Sequence, residues 1–177
     1  MRKKSQKLRF TIISAIFAAL ISVSSMIYIP AAVPITMQTL VIFAGFFIVG
    51  GKLTSTSVLI YIMIGALGVP VFSGFGGGIS RLFDATGGYI FGMLIGALVY
   101  WLLESILPKS DIFRVTCAAV SLLVIYTVGT AWYAFVYANG VSGVGAVLLT
   151  TVVPFIIPDI IKLAVAFLIA KRIPRLT

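Results

Sequence analysis

The chain contains no histidine, a single cysteine and only four acidic residues among 177. Without histidine there is no His-based catalytic triad and little prospect of a zinc site, and Cys117 alone forms no internal disulfide. Cys117 lies in an apolar run and reads as a small buried hydrophobe. Charge is scarce altogether, 10% of residues against 61% hydrophobic, where a soluble domain carries about a quarter charged residues. That balance excludes an ordinary soluble domain and indicates one integral membrane domain over residues 1–177. Phosphate-cradling loops are missing too: Gly51-Lys52 is followed by Leu53 instead of Ser or Thr, and Phe46 stands where the first glycine of that motif belongs. The glycine cluster at 74–78 lies between Val-Pro and Ser-Arg, not between a strand and a helix. Nucleophile–base couples, carboxylate pairs and metal clusters are absent from the apolar runs apart from Asp159 and Lys162, so neither an enzyme nor a cofactor is expected.

What is present in excess is positive charge, 13 Lys and Arg for a net +9. In a soluble protein this would suggest nucleic acid. Here the basic residues gather at the ends of apolar runs, with no basic stripe interleaved with aromatics, so they report topology and contact with anionic lipid.

The runs predict an all-α membrane protein with six transmembrane helices. Residues 1–10 form a basic tail with Arg2, Lys3, Lys4, Lys7 and Arg9. The run from Thr11 to about Ile29 is longer than the roughly 7–15 apolar residues of a signal peptide, so it is expected to be a first span. Pro30 and Pro34 bracket a turn, and Val33 to Thr39 introduces a second span that ends near Gly50-Gly51-Lys52. The third runs from about Leu53 to Gly68. Residues 71–88, with six glycines, Arg81 and Asp84, are too polar to span and are expected to form a long ordered loop on one face. Tyr89 to about Leu107, Val115 to Tyr137, and a last run from near Val144 to Ala170 complete the six, with a turn from Asn139-Gly140 to Gly143 between the last two. Each run approaches the roughly 20 residues needed to cross, the second and third being short. Placing both termini in the cytoplasm puts all but two of the 13 basic residues on the inside, as the positive-inside rule requires. The two left over are Arg81, in the outer loop, and Lys162, inside the last run.

Lys162 has a partner three residues away, Asp159, in the stretch Pro154-Phe155-Ile156-Ile157-Pro158-Asp159-Ile160-Ile161-Lys162. A charge at the centre of a membrane helix costs on the order of 2.5–3.5 kcal/mol, so an acid and a base there mark a functional site. On a helix the spacing puts both on one face, where they neutralise each other and still offer hydrogen-bonding groups to a ligand. The bland alternative is a structural ion pair, but such pairs stabilise poorly. Pro158 is expected to break or start a helix beside them. The fifth run carries Tyr126, Thr130, Tyr133 and Tyr137 along one helical face with Trp132 beside it. Tyr137 reads as an interfacial anchor, whereas Tyr126 and Thr130 lie deep enough to help line a cavity for a small amphipathic ligand.

Taken together, Val33-Pro34-Ile35-Thr36-Met37-Gln38-Thr39-Leu40, Gly68-Val69-Pro70-Val71-Phe72, Thr86-Gly87-Gly88-Tyr89-Ile90-Phe91-Gly92, Tyr126-x-x-Gly129-x-x-Trp132 and Pro154-Phe155 to Asp159-x-x-Lys162 resemble, in order and spacing, the BioY family. These are biotin-binding S components of energy-coupling-factor (ECF) transporters. The resemblance covers nearly all of the chain from residue 30. It departs from the family pattern at Ala85, where Arg or Pro is frequent, which turns attention to Arg81 for a substrate-binding role, and at Pro158, where Gly is usual. The resemblance implies a six-helix S component of the prokaryotic plasma membrane with a vitamin site near its outer face, closed by the loops after the first and third helices. It also implies docking of the first helix onto a T component through Ala15 and Ala19, a small-xxx-small pair that permits close helix approach. Two cytoplasmic ABC-type ATPases would supply the drive.

Biotin, the implied transported ligand, suits these residues. Asp159 is positioned to accept a ureido N–H while Lys162 donates to the ureido carbonyl, with Tyr89 and Tyr126 as ring surfaces and Arg81, Gln38 and Thr36 as partners for the valerate carboxylate. Lys162 on the valerate is the rival polarity. An S component for thiamine or riboflavin, or a stand-alone ion-coupled carrier using Asp159, are the alternative functions.

Overall fold

In the computed structural model, described for residues 2–31, 33–137 and 144–175, the chain is a bundle of long helices with one small hairpin. The first helix, α1, runs from Arg2–Ser25. It therefore begins within the stretch expected to be a tail and ends before Ile29. Lys and Arg are good helix formers and remain solvated at a membrane surface, so nothing stops the helix from extending through them. After α1 the turn between Pro30 and Pro34 is closed by an antiparallel pair, β1 (Tyr28–Ile29) and β2 (Ile35–Thr36), with Tyr28 opposite Thr36.

Two shorter helices follow, α2 (Gln38–Ile48) and α3 (Gly51–Ala66). They are joined at Gly50, whose φ of +83° is a conformation that glycine adopts without strain. At 11 and 16 residues they are shorter than the roughly 20 needed to cross hydrocarbon. The long apolar helical segments are Lys4–Ser25, Gly87–Ile106, Asp111–Val136 and Val147–Arg172. The chain is thus a multi-pass membrane protein with four segments, among the described residues, long and apolar enough to cross.

Residues 71–88 form an ordered link. Phe72 and Gly76 exchange backbone hydrogen bonds, Gly78 N–H donates to the Gly65 carbonyl at 2.7 Å, and a single turn, α4 (Ile79–Leu82), precedes α5 (Gly87–Ile106). Phe72 is buried edge-on against Tyr61, 5.4 Å between ring centres, in a slot that exists because Gly65 has no side chain.

The α5 helix pairs with α6 (Asp111–Trp132) more extensively than any other two elements pair. The contact is moulded by glycine. A Cβ on Gly88 would fall 2.1 Å from Trp132, one on Gly129 2.5 Å from the Tyr89 ring, and one on Gly96 2.8 Å from the Ser121 carbonyl oxygen. Gly88, Gly92 and Gly96 lie four apart, a spacing that brings helices close in lipid, where packing replaces the hydrophobic effect. The end of α6 loosens into a π-helical turn, Tyr133–Tyr137. The expected turn from Asn139 to Gly143 and the Tyr137 side chain lie outside the described residues.

The last apolar run is two helices, α7 (Val144–Thr151) and α8 (Val153–Arg172). The break falls at Val152 and not at Pro158, where it was expected. The β-branched run Thr150-Thr151-Val152-Val153 is a poor helix former, and Pro154 disfavours helical backbone just before it while fitting the first turn of α8. Pro158 lies inside α8; its missing N–H leaves only the Pro154 carbonyl without a helical donor, a loss the helix absorbs.

The bundle has two chemically distinct ends. At one, Arg175 binds Glu104 at 3.0 Å, Arg114 and Lys171 approach Asp111 at 3.5 and 3.9 Å, and Lys52 lies over the Phe10 ring at 5.8 Å. Arg81 stands beyond the opposite end of α5. Replacing Gly96 by Leu should force α5 and α6 apart and lower stability by about 1–3 kcal/mol despite leucine's better helix propensity. Thermal unfolding in detergent measures this, and an unchanged melting temperature would refute the close-packed seam.

Candidate binding site

Phe155, Asp159 and Lys162 lie four and three residues apart and share the buried stripe of α8. That stripe packs against α2, so the two charges face the start of α2 instead of lipid. Asp159 is 1% exposed and Lys162 7%. Their separation is 2.8 Å from Nζ to Oδ1. Burying both charges is tolerable only if they are paired and hydrogen-bonded, and both are. Lys162 also donates to the Thr36 carbonyl at 2.7 Å and to Thr39 Oγ1 at 3.2 Å, which accounts for all three ammonium hydrogens. Asp159 Oδ1 accepts in addition from the Thr39 hydroxyl at 2.7 Å, and Oδ2 accepts from Tyr126 at 2.8 Å. Oδ1 thus takes two donors and Oδ2 one.

This network forms the polar wall of a cavity of about 500 Å³, counted out through its open mouth. Tyr89, Ile90 and Met93 of α5, Ile125 and Tyr126 of α6 and Phe155 of α8 supply the apolar surface, while Val33, Pro34, Ser73 and Thr86 also contribute. The Tyr89 and Phe155 rings lie nearly parallel, 16° apart with centres at 6.2 Å. The Tyr89 hydroxyl points away to the Thr151 carbonyl at 2.8 Å and lies 3.2 Å from the Thr130 hydroxyl.

Five elements converge here, and each sequence-derived candidate has a definite position. Thr36, Gln38, Tyr89, Tyr126, Asp159 and Lys162 line the cavity. Thr130 does not; it supports the Tyr89 hydroxyl from behind. Arg81 does not line it either. Its guanidinium pairs with Asp84 at 3.2 Å, and both side chains are nearly half exposed, 45% and 42%. Trp132, expected beside the tyrosine stripe, instead ties α6 to the 71–88 link by donating to the Asp84 carbonyl at 3.1 Å. Ala15 and Ala19 are exposed on the face of α1 turned away from the bundle, while Ser14 and Ala18 face inward.

Sequence reasoning missed Thr39, Tyr61 and Phe155. Thr39 bridges acid and base, and Tyr61 accepts from Gln38 Nε2 at 2.8 Å while Gln38 Oε1 accepts from the Thr36 hydroxyl at 3.0 Å. Phe155 was readable, being one helical turn before Asp159 on the same face. Thr39 required knowing that α2 begins at Gln38, and nothing local in the sequence announces the Tyr61 contact.

The whole chain, residues 1–177, matches the family model described as the BioY family. A protein of Pyrococcus horikoshii named a probable biotin transporter BioY is 39% identical over 161 residues, covering 90% of this chain and 92% of that one. The biotin transporter BioY of Thermotoga maritima is 37% identical over 170 residues, covering 96% and 98%. A crystal structure of the S-component for biotin from an ECF-type ABC transporter superposes with a TM-score of 0.82, covering 95% of this chain and 92% of that one at 24% identity, and so shares the fold. With the family model matched end to end and these relatives aligned over nearly their full length, the chain belongs to the BioY family.

Proposed function

We propose that the chain is the biotin-capturing membrane subunit, the S component, of an ECF-type uptake transporter. The observation that carries this reading is the charge-neutral Asp159–Lys162 network set into an aromatic-walled cavity of a BioY-family chain. A ureido group presents N–H donors beside a carbonyl acceptor, and the network offers the complement. Asp159 Oδ2, with one donor in place, has room to accept a ligand N–H. Lys162 has no free hydrogen, so a ligand carbonyl receives one by replacing a neutral acceptor, the Thr36 carbonyl or the Thr39 hydroxyl. The bicyclic ring then lies between Tyr89 and Phe155 on one side and Tyr126 on another. The valerate extends toward Gln38 and Thr36, and Arg81 joins it by leaving Asp84.

The same reading covers topology and partners. Six membrane passes with cytoplasmic termini follow if α2 and α3 cross together with the four long helices, and the gathering of Lys52, Arg114, Lys171 and Arg175 at one end supports that orientation. The exposed Ala15 and Ala19 of α1 leave a smooth strip for close approach by a transmembrane T component, which would couple the subunit to two cytoplasmic ATPases.

Purified protein in detergent, without partners, should bind biotin one to one and leave thiamine and riboflavin unbound in equilibrium titrations. Asp159→Asn and Lys162→Met should each weaken binding by about 10- to 100-fold, the range for hydrogen bonds to charged groups. Wild-type affinity in folded variants would defeat the ureido assignment, and tight binding of either control vitamin would redirect the substrate. A second comparison fixes polarity: biotin amide should bind more weakly than biotin to the wild type, and Arg81→Gln should erase that difference. Erasure by Lys162→Met instead would place the valerate on the lysine.

A further inference from the structure

The basic end of the bundle holds two unlike sets of cations. All four acidic residues of the chain are engaged: Asp84 with Arg81, Glu104 with Arg175, Asp111 with Arg114 and Lys171, and Asp159 with Lys162. Lys7, Arg9 and Lys52 have no acidic partner among the described residues, and they stand together around adjoining open grooves of about 700 and 850 Å³ between α1 and α3. Lys52 is held over the rings of Phe10 and Trp101, at 5.8 and 6.0 Å, which fixes its ammonium beside the groove. The floor is hydrocarbon: Phe10 and Ile13 descend α1 one turn apart, and Leu53 closes the α3 side.

We infer that this groove is a binding site for one anionic phospholipid, its phosphate held by Arg9 and Lys52 and an acyl chain lying along Phe10, Ile13 and Leu53. Two observations select that occupant. The groove's charge is uncompensated within the chain, so an anion is called for. Its apolar floor also runs along the α1 axis into the span, so the occupant carries charge at one end and hydrocarbon along the membrane normal. An acidic protein segment lying across the surface would leave Ile13 and Leu53 unfilled, and free phosphate would leave the whole floor so. With the orientation proposed above, the lipid comes from the cytoplasmic leaflet; the inference itself needs only the membrane location and not the biotin reading.

Native mass spectrometry of the detergent-purified chain, titrated with phosphatidylglycerol, phosphatidylcholine or inorganic phosphate, tests the site. One phosphatidylglycerol should be retained much more tightly than phosphatidylcholine, and inorganic phosphate should not displace it. Arg9→Gln with Lys52→Gln should weaken retention by about 30-fold, the two-cation equivalent of the attraction each Lys or Arg gains near an anionic surface. Lys109→Gln with Arg172→Gln removes the same charge at the same end outside the groove and should leave retention unchanged. Equal loss in both double variants would reduce the effect to diffuse surface attraction and overturn the site. So would equal retention of phosphatidylcholine or displacement by inorganic phosphate. Should a double variant fail to fold, the wild-type contrast between the two lipids decides alone.

Discussion

A carboxylate and an ammonium inside an apolar bundle each cost several kcal/mol to desolvate, and their mutual attraction offsets this only when every remaining donor and acceptor is also matched. That requirement governs the arrangement around Asp159 and Lys162. Thr39 reaches them from the first turn of α2, Thr36 from β2 and Tyr126 from α6, so three elements distant in sequence are drawn onto one stripe of α8. The hairpin after α1 is tied to α8 across the cavity by the Thr36 main-chain carbonyl, which accepts from Lys162.

The apolar half of the cavity depends on a different constraint, the close approach of α5 and α6. Gly129 admits the Tyr89 ring and Gly88 admits Trp132, so each helix supplies the gap that the other's aromatic residue fills. Tyr89 is then held by its hydroxyl on Thr151 and by its near-parallel contact with Phe155, and it lines the cavity. Removal of Cβ atoms at the seam is what makes an aromatic wall possible at that depth.

Asp159 and Lys162 were legible in the sequence because a charge within a long apolar run has few uneventful explanations, and three-residue spacing already pairs them on a helix. The glycine–aromatic motifs were legible as a set, although their reciprocal fit was not. Thr39 escaped notice because hydroxyls are common in membrane helices, where they can bond to their own backbone, and its partner is 120 residues away. Pro158 suggests a helix break, but the β-branched run before Pro154 is the stronger signal, since a proline early in a helix forfeits little. The basic residues before Thr11 suggest a tail, whereas helix propensity carries α1 through its lysines and arginines. Arg81, chosen as the cation left unexplained by topology, turned out to have a local acid, Asp84, three residues away.

Whether Asp159 and Lys162 act on the ligand as one unit is tested directly by a double-mutant cycle on biotin affinity. Binding would be measured for the wild type, Asp159→Asn, Lys162→Met and the double variant, each verified as folded by its thermal transition. Because either single change leaves its partner buried and unmatched, the double variant should lose little more affinity than one single variant, giving a coupling of about 0.5–3 kcal/mol. Losses that simply add would contradict the account and assign the two residues independent roles.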